Sequence, residues 1–209
     1  MEASEASAKE RVLAAQALAG SADAFRGLVE LYHRPILSFV SRMVGGDGSL
    51  ADDLAQDVFL RAWRHLGEYD PSRKFSSWLF KIAHNRTIDQ LRRSKLRFTL
   101  ALGVDEDEEG IGDVAAPEEQ SSPLRQAEAA ELQRLVQESV AGLRPAYREI
   151  LLLRFEQDMQ YDEIAGVLGI ALGTVKVQLH RARKALAREL QRRGVEPPAA
   201  FAGSGDRPE

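Results

Sequence analysis

The chain has 209 residues, 44% hydrophobic and 29% charged, with a net charge of −4 at pH 7, the balance of a globular protein of one domain or two small ones. No apolar run approaches the roughly 18 residues that a membrane span requires, and the leading MEASEASAKERVLAAQALAG is polar and acidic with no apolar signal core, so a cytoplasmic protein without membrane insertion is expected. The lack of cysteine excludes disulfides, thiolate metal sites and cysteine nucleophiles; His33, His65, His84 and His180 show no helical ligand spacing and read as scattered surface residues, so no metal, cofactor or catalytic site is expected.

Periodicity predicts an all-α protein of two small helical domains joined by a flexible acidic linker. The first module spans 8–97. Gly20 ends its first helix, and Ser21 or Asp23 caps the next. Gly45–Gly48 breaks the chain again, and Ser49 with Asp52 resembles a capping box for a helix over 50–66. Asp70-Pro71 marks a loop before a helix that starts near Ser76. Residues 98–123 are acidic and rich in glycine and proline, too polar to bury a core, and read as the linker. A second helical module follows over 124–193, then a Gly/Pro/Ala-rich disordered tail over 194–209.

The modest net charge hides a segregation. Lys81, Arg86, Arg92, Arg93, Lys95 and Arg97 stand against Asp89 alone in 81–97. Lys176, Arg181, Arg183, Lys184, Arg188, Arg192 and Arg193 stand against Glu189 alone in 172–193. Between them lie Asp105, Glu106, Asp107, Glu108, Glu109, Asp113, Glu118 and Glu119. Two basic blocks parted by an acidic one point to two contacts on one long anionic target.

In the first module, the helix LADDLAQDVFLRAWRHL puts Ala51, Leu54, Val58, Ala62 and Leu66 on an apolar arc. Asp53, Gln56, Asp57, Leu60 and Arg64 face away from it. An apolar residue ringed by polar ones suits a protein interface, although a solvated face with one exposed leucine has the same pattern. The next helix, SSWLFKIAHNRTIDQLRRSK, sets Lys81, Asn85, Asp89 and Arg92 on one side, where amides and carboxylates can read unstacked bases and cations can hold the backbone. Tyr69 and Phe75 flank the preceding loop as candidate stacking rings. Phe75 and Trp78 fit a hydrophobic core better than a base platform, by about two to one, since aromatics dominate cores.

YDEIAGVLGIALGTVKVQLHRARKAL, 161–186, reads as a helix-turn-helix. Ile164, Ala165 and Leu168 form the buried face of its first helix, Gly169 supplies the tight turn, and Gly173-Thr174 opens the second helix. Val175, Leu179, Ala182 and Leu186 share one stripe. Val177, His180, Arg181, Lys184 and Arg188 are left on the other face, the composition of a helix that lies in a major groove.

This stretch, with LRPAYREILLLRFEQDMQYDEIA before it, resembles region 4 of extracytoplasmic-function (ECF) sigma factors. AFRGLVELYHRPILSFV, DDLAQDVFLRAW and FSSWLFKIAHNRTIDQLRR resemble region 2 of the same family, in the family's order. The resemblance implies that Asp53, Gln56, Asp57 and Leu60 dock on the clamp helices of the largest subunit of core RNA polymerase. It implies that Tyr69, Lys74, Phe75, Lys81, Asn85, Asp89, Arg92 and Arg93 hold the minus-ten element of promoter DNA. For the minus-thirty-five element it implies Arg154, Thr174, Lys176, Val177, His180, Arg181 and Lys184. Val177 and Gln178 depart from the family's common serine and arginine there. An acidic linker threading the polymerase and an anti-sigma factor partner are also implied.

Two other classes fit parts of this pattern. An autonomous helix-turn-helix regulator would use 161–188 alone and leave the first module without a purpose. An enzyme with Asp52, Asp53 and Asp57 as metal ligands lacks a third ligand on the face that Asp53 and Asp57 share.

Overall fold

Caps and buried stripes set the helices. The computed structural model describes residues 2–102 and 123–197, and among them the secondary structure is helical with no strand. α1 (Glu2–Leu18) is followed by α2 (Ala22–Met43), whose N-cap is Ser21: its Oγ accepts the Ala24 N–H at 3.2 Å. A cap of this kind satisfies one of the otherwise orphaned donors of the first turn and contributes about 1 kcal/mol. α3 (Gly48–Arg64) is capped by Asp47 rather than Ser49, with Oδ1 accepting the Leu50 N–H at 3.0 Å. Asp47 keeps an extended backbone after the left-handed Gly45 and Gly46, so the helix starts earlier than the Ser49 pattern suggested.

A short 3-10 turn (Leu66–Glu68) leads through the 69–74 loop to α4 (Phe75–Leu102). α4 therefore continues past residue 97 into the stretch expected to be linker. The second module contains α5 (Pro123–Ala141), α6 (Pro145–Leu151) running into a π-helical turn (Leu152–Glu156), α7 (Tyr161–Leu168) and α8 (Leu172–Arg192). The acidic residues of 105–119 lie outside the described residues, as does the tail from 198 onwards.

The first core gathers Leu28, Ile36, Phe39, Val40 and Met43 of α2, Leu54 and Val58 of α3, and Phe75, Leu79 and Phe80 of α4. Phe39 and Phe80 meet edge to face, centroids 5.4 Å apart. Each such side chain contributes roughly 1.5–3 kcal/mol on burial. α1 closes this core with Ala14 and Ala17. In the second module α6 and α7 pack against α8. There Ile150, Leu151, Leu152 and Leu153 are all buried, more than one face of an isolated helix can hide. The explanation is that α6 is covered from two sides, by α8 and by α2 of the first module. α4 and α7 form a second contact between the modules.

Candidate nucleic-acid and protein interfaces

On α3 the apolar arc is buried as its spacing predicts: Ala51, Leu54, Val58 and Ala62 are inside, and Leu66 just after the helix joins them. Asp53 and Gln56 are exposed, and Leu60 is 47% exposed, next to the 44% exposed Trp63. Trp63, one helical turn beyond Leu60, belongs to the same outward face and was not singled out in the sequence; its ring rests against Phe25, centroids 4.9 Å apart. Asp57 differs from its neighbours. It is half-buried and bonds to Arg86 of α4 and to Arg61 at 3.0 Å. Burial alone would raise its carboxyl, but the two guanidiniums outweigh it and hold the group below the ordinary carboxylate range. Asp57 is thus a strut between α3 and α4, not a free member of the outer face.

The loop before α4 corrects a second expectation. Phe75 and Tyr69 are buried, 1% and 5% exposed, and pack edge to face at 5.3 Å. The Tyr69 hydroxyl donates to the Arg73 carbonyl at 2.7 Å, so the ring shapes the loop from within. Aromatic surface is too costly to leave uncovered beside a core that can take it. The half-buried Trp78, against both rings, lines the neighbouring cleft and is the more exposed of its two aromatic residues, the other being Tyr69. Lys81, Asn85, Asp89, Arg92 and Arg93 are exposed along α4 as predicted, and Lys74 is exposed in the loop. Tyr69, Lys74, Trp78, Lys81 and Asn85 line a cleft of about 830 Å³, whose opposite wall is Asp162, Glu163 and Gly166 of α7.

A residue that sequence reasoning missed fixes this loop. Glu10 of α1 is buried, and its Oε1 accepts the Ser76 N–H at 3.0 Å, a carboxylate at the N-terminus of α4. The Tyr32 phenol lies against Glu10 and Ser76, and burial followed by the nearby carboxylate pushes its ionisation well above the usual phenol range. Glu10 and Ser76 are far apart in sequence, so no local pattern announces the cap.

The helix-turn-helix is α7 and α8. Gly169 has φ of 67°, the left-handed turn that glycine adopts without penalty. Ile164 is buried, but Val167 is its buried companion, while Ala165 and Leu168 are only half-covered. On α8, Val175, Leu179, Ala182 and Leu186 are buried, joined by Leu190. Thr174, Lys176, Val177, His180, Arg181 and Lys184 are exposed, with Val177 at 49%. Arg154 stands on the π turn, where its guanidinium donates to the Met159 carbonyl at 2.9 Å and lies over the Tyr161 ring. It braces the turn into α7.

Of the histidines, His84 is not a surface residue. Its Nδ1 meets Glu149 Oε1 of α6 at 2.5 Å, and both side chains are largely covered. Among the described residues no cluster of three potential metal ligands occurs, and no helix is long and apolar enough to cross a membrane.

A helical module with an exposed Leu60–Trp63 pair on α3 and a polar cleft along α4, followed by a helix-turn-helix, is the arrangement of a DNA-binding protein of two modules. Residues 28–97 match the family model for sigma-70 region 2, and residues 133–186 that for sigma-70 region 4. The ECF RNA polymerase sigma factor SigW of Bacillus subtilis is 34% identical over 178 residues, covering 82% of this chain and 91% of SigW. The RNA polymerase sigma factor CnrH of Cupriavidus metallidurans is 34% identical over 189 residues, covering 85% and 92%. The structure of CnrH in complex with the cytosolic domain of CnrY aligns with a TM-score of 0.60 at 28% identity, covering 88% of this chain and 98% of that one. The chain belongs to the ECF family of RNA polymerase sigma factors. It binds core RNA polymerase and directs it to promoters. Members of this family generally act by binding rather than by catalysis.

Proposed function

We propose that the three exposed faces divide the work of initiation in the cytoplasm. Asp53, Gln56 and Leu60 of α3 dock on the clamp helices of the largest polymerase subunit, with Trp63 extending the apolar anchor. Asp57 contributes by holding α3 to α4. Lys74, Lys81, Asn85, Asp89, Arg92 and Arg93, with Trp78 as the stacking ring, take the minus-ten strand; Tyr69 and Phe75 hold the loop in shape. Thr174, Lys176, Val177, His180, Arg181 and Lys184 of α8 enter the major groove at the minus-thirty-five element, and Arg154 braces that module. Unstacking a base costs a few kcal/mol and is repaid by contacts to the captured base, so binding energy opens the DNA. No bond is made or broken by this chain. An anti-sigma partner of the kind seen on CnrH would cover these faces until release.

The observation that carries this reading is the exposed Leu60–Trp63 pair beside Asp53 and Gln56, a hydrophobic anchor with a polar rim on the module that also bears the α4 face. Gel filtration with sigma-free core polymerase tests it. The wild type is expected to co-elute, and the triple variant D53A/Q56A/L60A to bind at least tenfold more weakly with its helical content intact. Failure of the wild type to co-elute at micromolar concentration would leave a stand-alone DNA-binding regulator.

A further inference from the structure

Three carboxylates of the second module reach across to three basic side chains of the first. Glu149 of α6 meets His84 of α4. Glu156, at the end of the π turn, pairs with Arg42 of α2, both side chains about a quarter exposed. Glu163 of α7 pairs with Lys74 at 2.8 Å. Glu163 serves twice, because its Oε2 also accepts the Gln160 N–H at 2.8 Å and so caps α7. Between these pairs runs a backbone staple. Arg148 of α6 is buried and donates to the carbonyls of Arg42 and Met43, at 2.9 and 3.4 Å, as well as to Ala141 and Leu143 of its own module. These carbonyls close α2, where the last turn lacks intrahelical donors and carries the negative end of the helix dipole.

The contact falls on a working surface. Lys74 and the cleft lined by Trp78, Lys81 and Asn85 are the face assigned above to the minus-ten strand, and the wall opposite is Asp162 and Glu163. A carboxylate at 2.8 Å from an ammonium occupies the position a phosphate oxygen would take. We infer that the acidic edge of the second module, Glu149 to Glu163, is an intramolecular docking partner that stands in for nucleic acid on the first module, so that the free chain masks its own single-strand face. The inference rests on the assignment of that face under Proposed function. Opening the modules then frees Lys74 and the cleft beside it, while the outer face of α8 is exposed in either state. A nucleic-acid strand and the α7 edge compete for one surface, and the half-exposed Lys74 ammonium leaves its ion pair with Glu163 open to displacement by a phosphate.

The chain has no cysteine, so the full-length protein accepts nitroxide labels at two introduced sites, Glu30→Cys and Gln191→Cys, on exposed positions of α2 and α8. Double electron–electron resonance on the free protein is expected to give one narrow distance. R42E alone and E156R alone are each expected to lengthen and broaden it, and the swap R42E/E156R to restore it. The two single variants move net charge in opposite directions, so a general charge effect cannot produce the same response in both. In parallel, fluorescence anisotropy with a labelled single-stranded oligo-dT is expected to show about threefold or greater tightening in both single variants, including the more acidic R42E, and reversal in the swap. A broad wild-type distance, or one that neither variant changes, overturns the docking. Distances that respond while oligo-dT affinity simply follows net charge overturn the masking. If distances respond but no variant binds oligo-dT, the assignment of the α4 face falls and the docking stands without a masking role.

Discussion

The two faces assigned to DNA are built in opposite ways. On α8 the basic face is open: Lys176, Val177, His180, Arg181 and Lys184 project from a helix whose other side is anchored by five buried residues. On α4 the equivalent chemistry sits in a cleft, with its loop tied to α1 from behind and its lysine tied to α7 in front. A duplex-reading helix needs only a rigid rod with the right outer surface, because B-form DNA arrives with its base edges already displayed. A strand-capturing surface has to hold a shape for bases that are not yet out, so its aromatic residues are spent inside the protein. Chemistry can be changed on α8 without touching stability; on α4 and its loop the two are coupled.

The sharpest test of that contrast is Phe75→Ala. Removing a fully buried ring from under the loop is expected to cost about 3–5 kcal/mol in urea unfolding; a loss below about 1 kcal/mol would mean the loop is not built on this ring. Arg181→Ala on α8 is expected to leave the unfolding midpoint unchanged while weakening duplex binding by about 1–3 kcal/mol and flattening the salt dependence. A matching loss of stability would erase the distinction between the faces. The smallest effect belongs to Asp57→Asn. Asp57 ionises below its unfolded value, so its contribution is fully present above the unfolded carboxylate range and is lost as pH falls through the folded value. With the carboxylate about a third exposed, the variant is expected to lose about 1 kcal/mol at pH 7 and to converge on the wild type in acid. A difference that persists or grows below the carboxylate range contradicts the strut to Arg86.

What could be read from the sequence follows the same division. The turn glycine, the Val175–Leu186 stripe and the exposed α8 face are short-range patterns, and each residue does what its spacing says. The Ser21 cap and the α3 arc were legible for the same reason. Asp47 in place of Ser49 was a choice between two nearby caps, decided by where the glycine turn releases the backbone. Phe75 is buried, the more frequent fate of an aromatic residue beside a core, whereas Tyr69, a candidate stacking ring, is buried as well because composition cannot say which side of a loop its core lies on. Glu10 on Ser76, Asp57 on Arg86, His84 on Glu149 and Arg148 on the end of α2 join residues distant in sequence, and periodicity carries no trace of them.

Glu10 lies ahead of the segment that matches region 2. Exchanging region 2 between relatives at that boundary would therefore pair a foreign leading helix with the 69–75 loop, and the first turn of α4 would meet whatever side chain that helix brings. Hybrid factors assembled this way should lose promoter opening more readily than polymerase binding, and should regain it when the leading helix travels with the loop it caps.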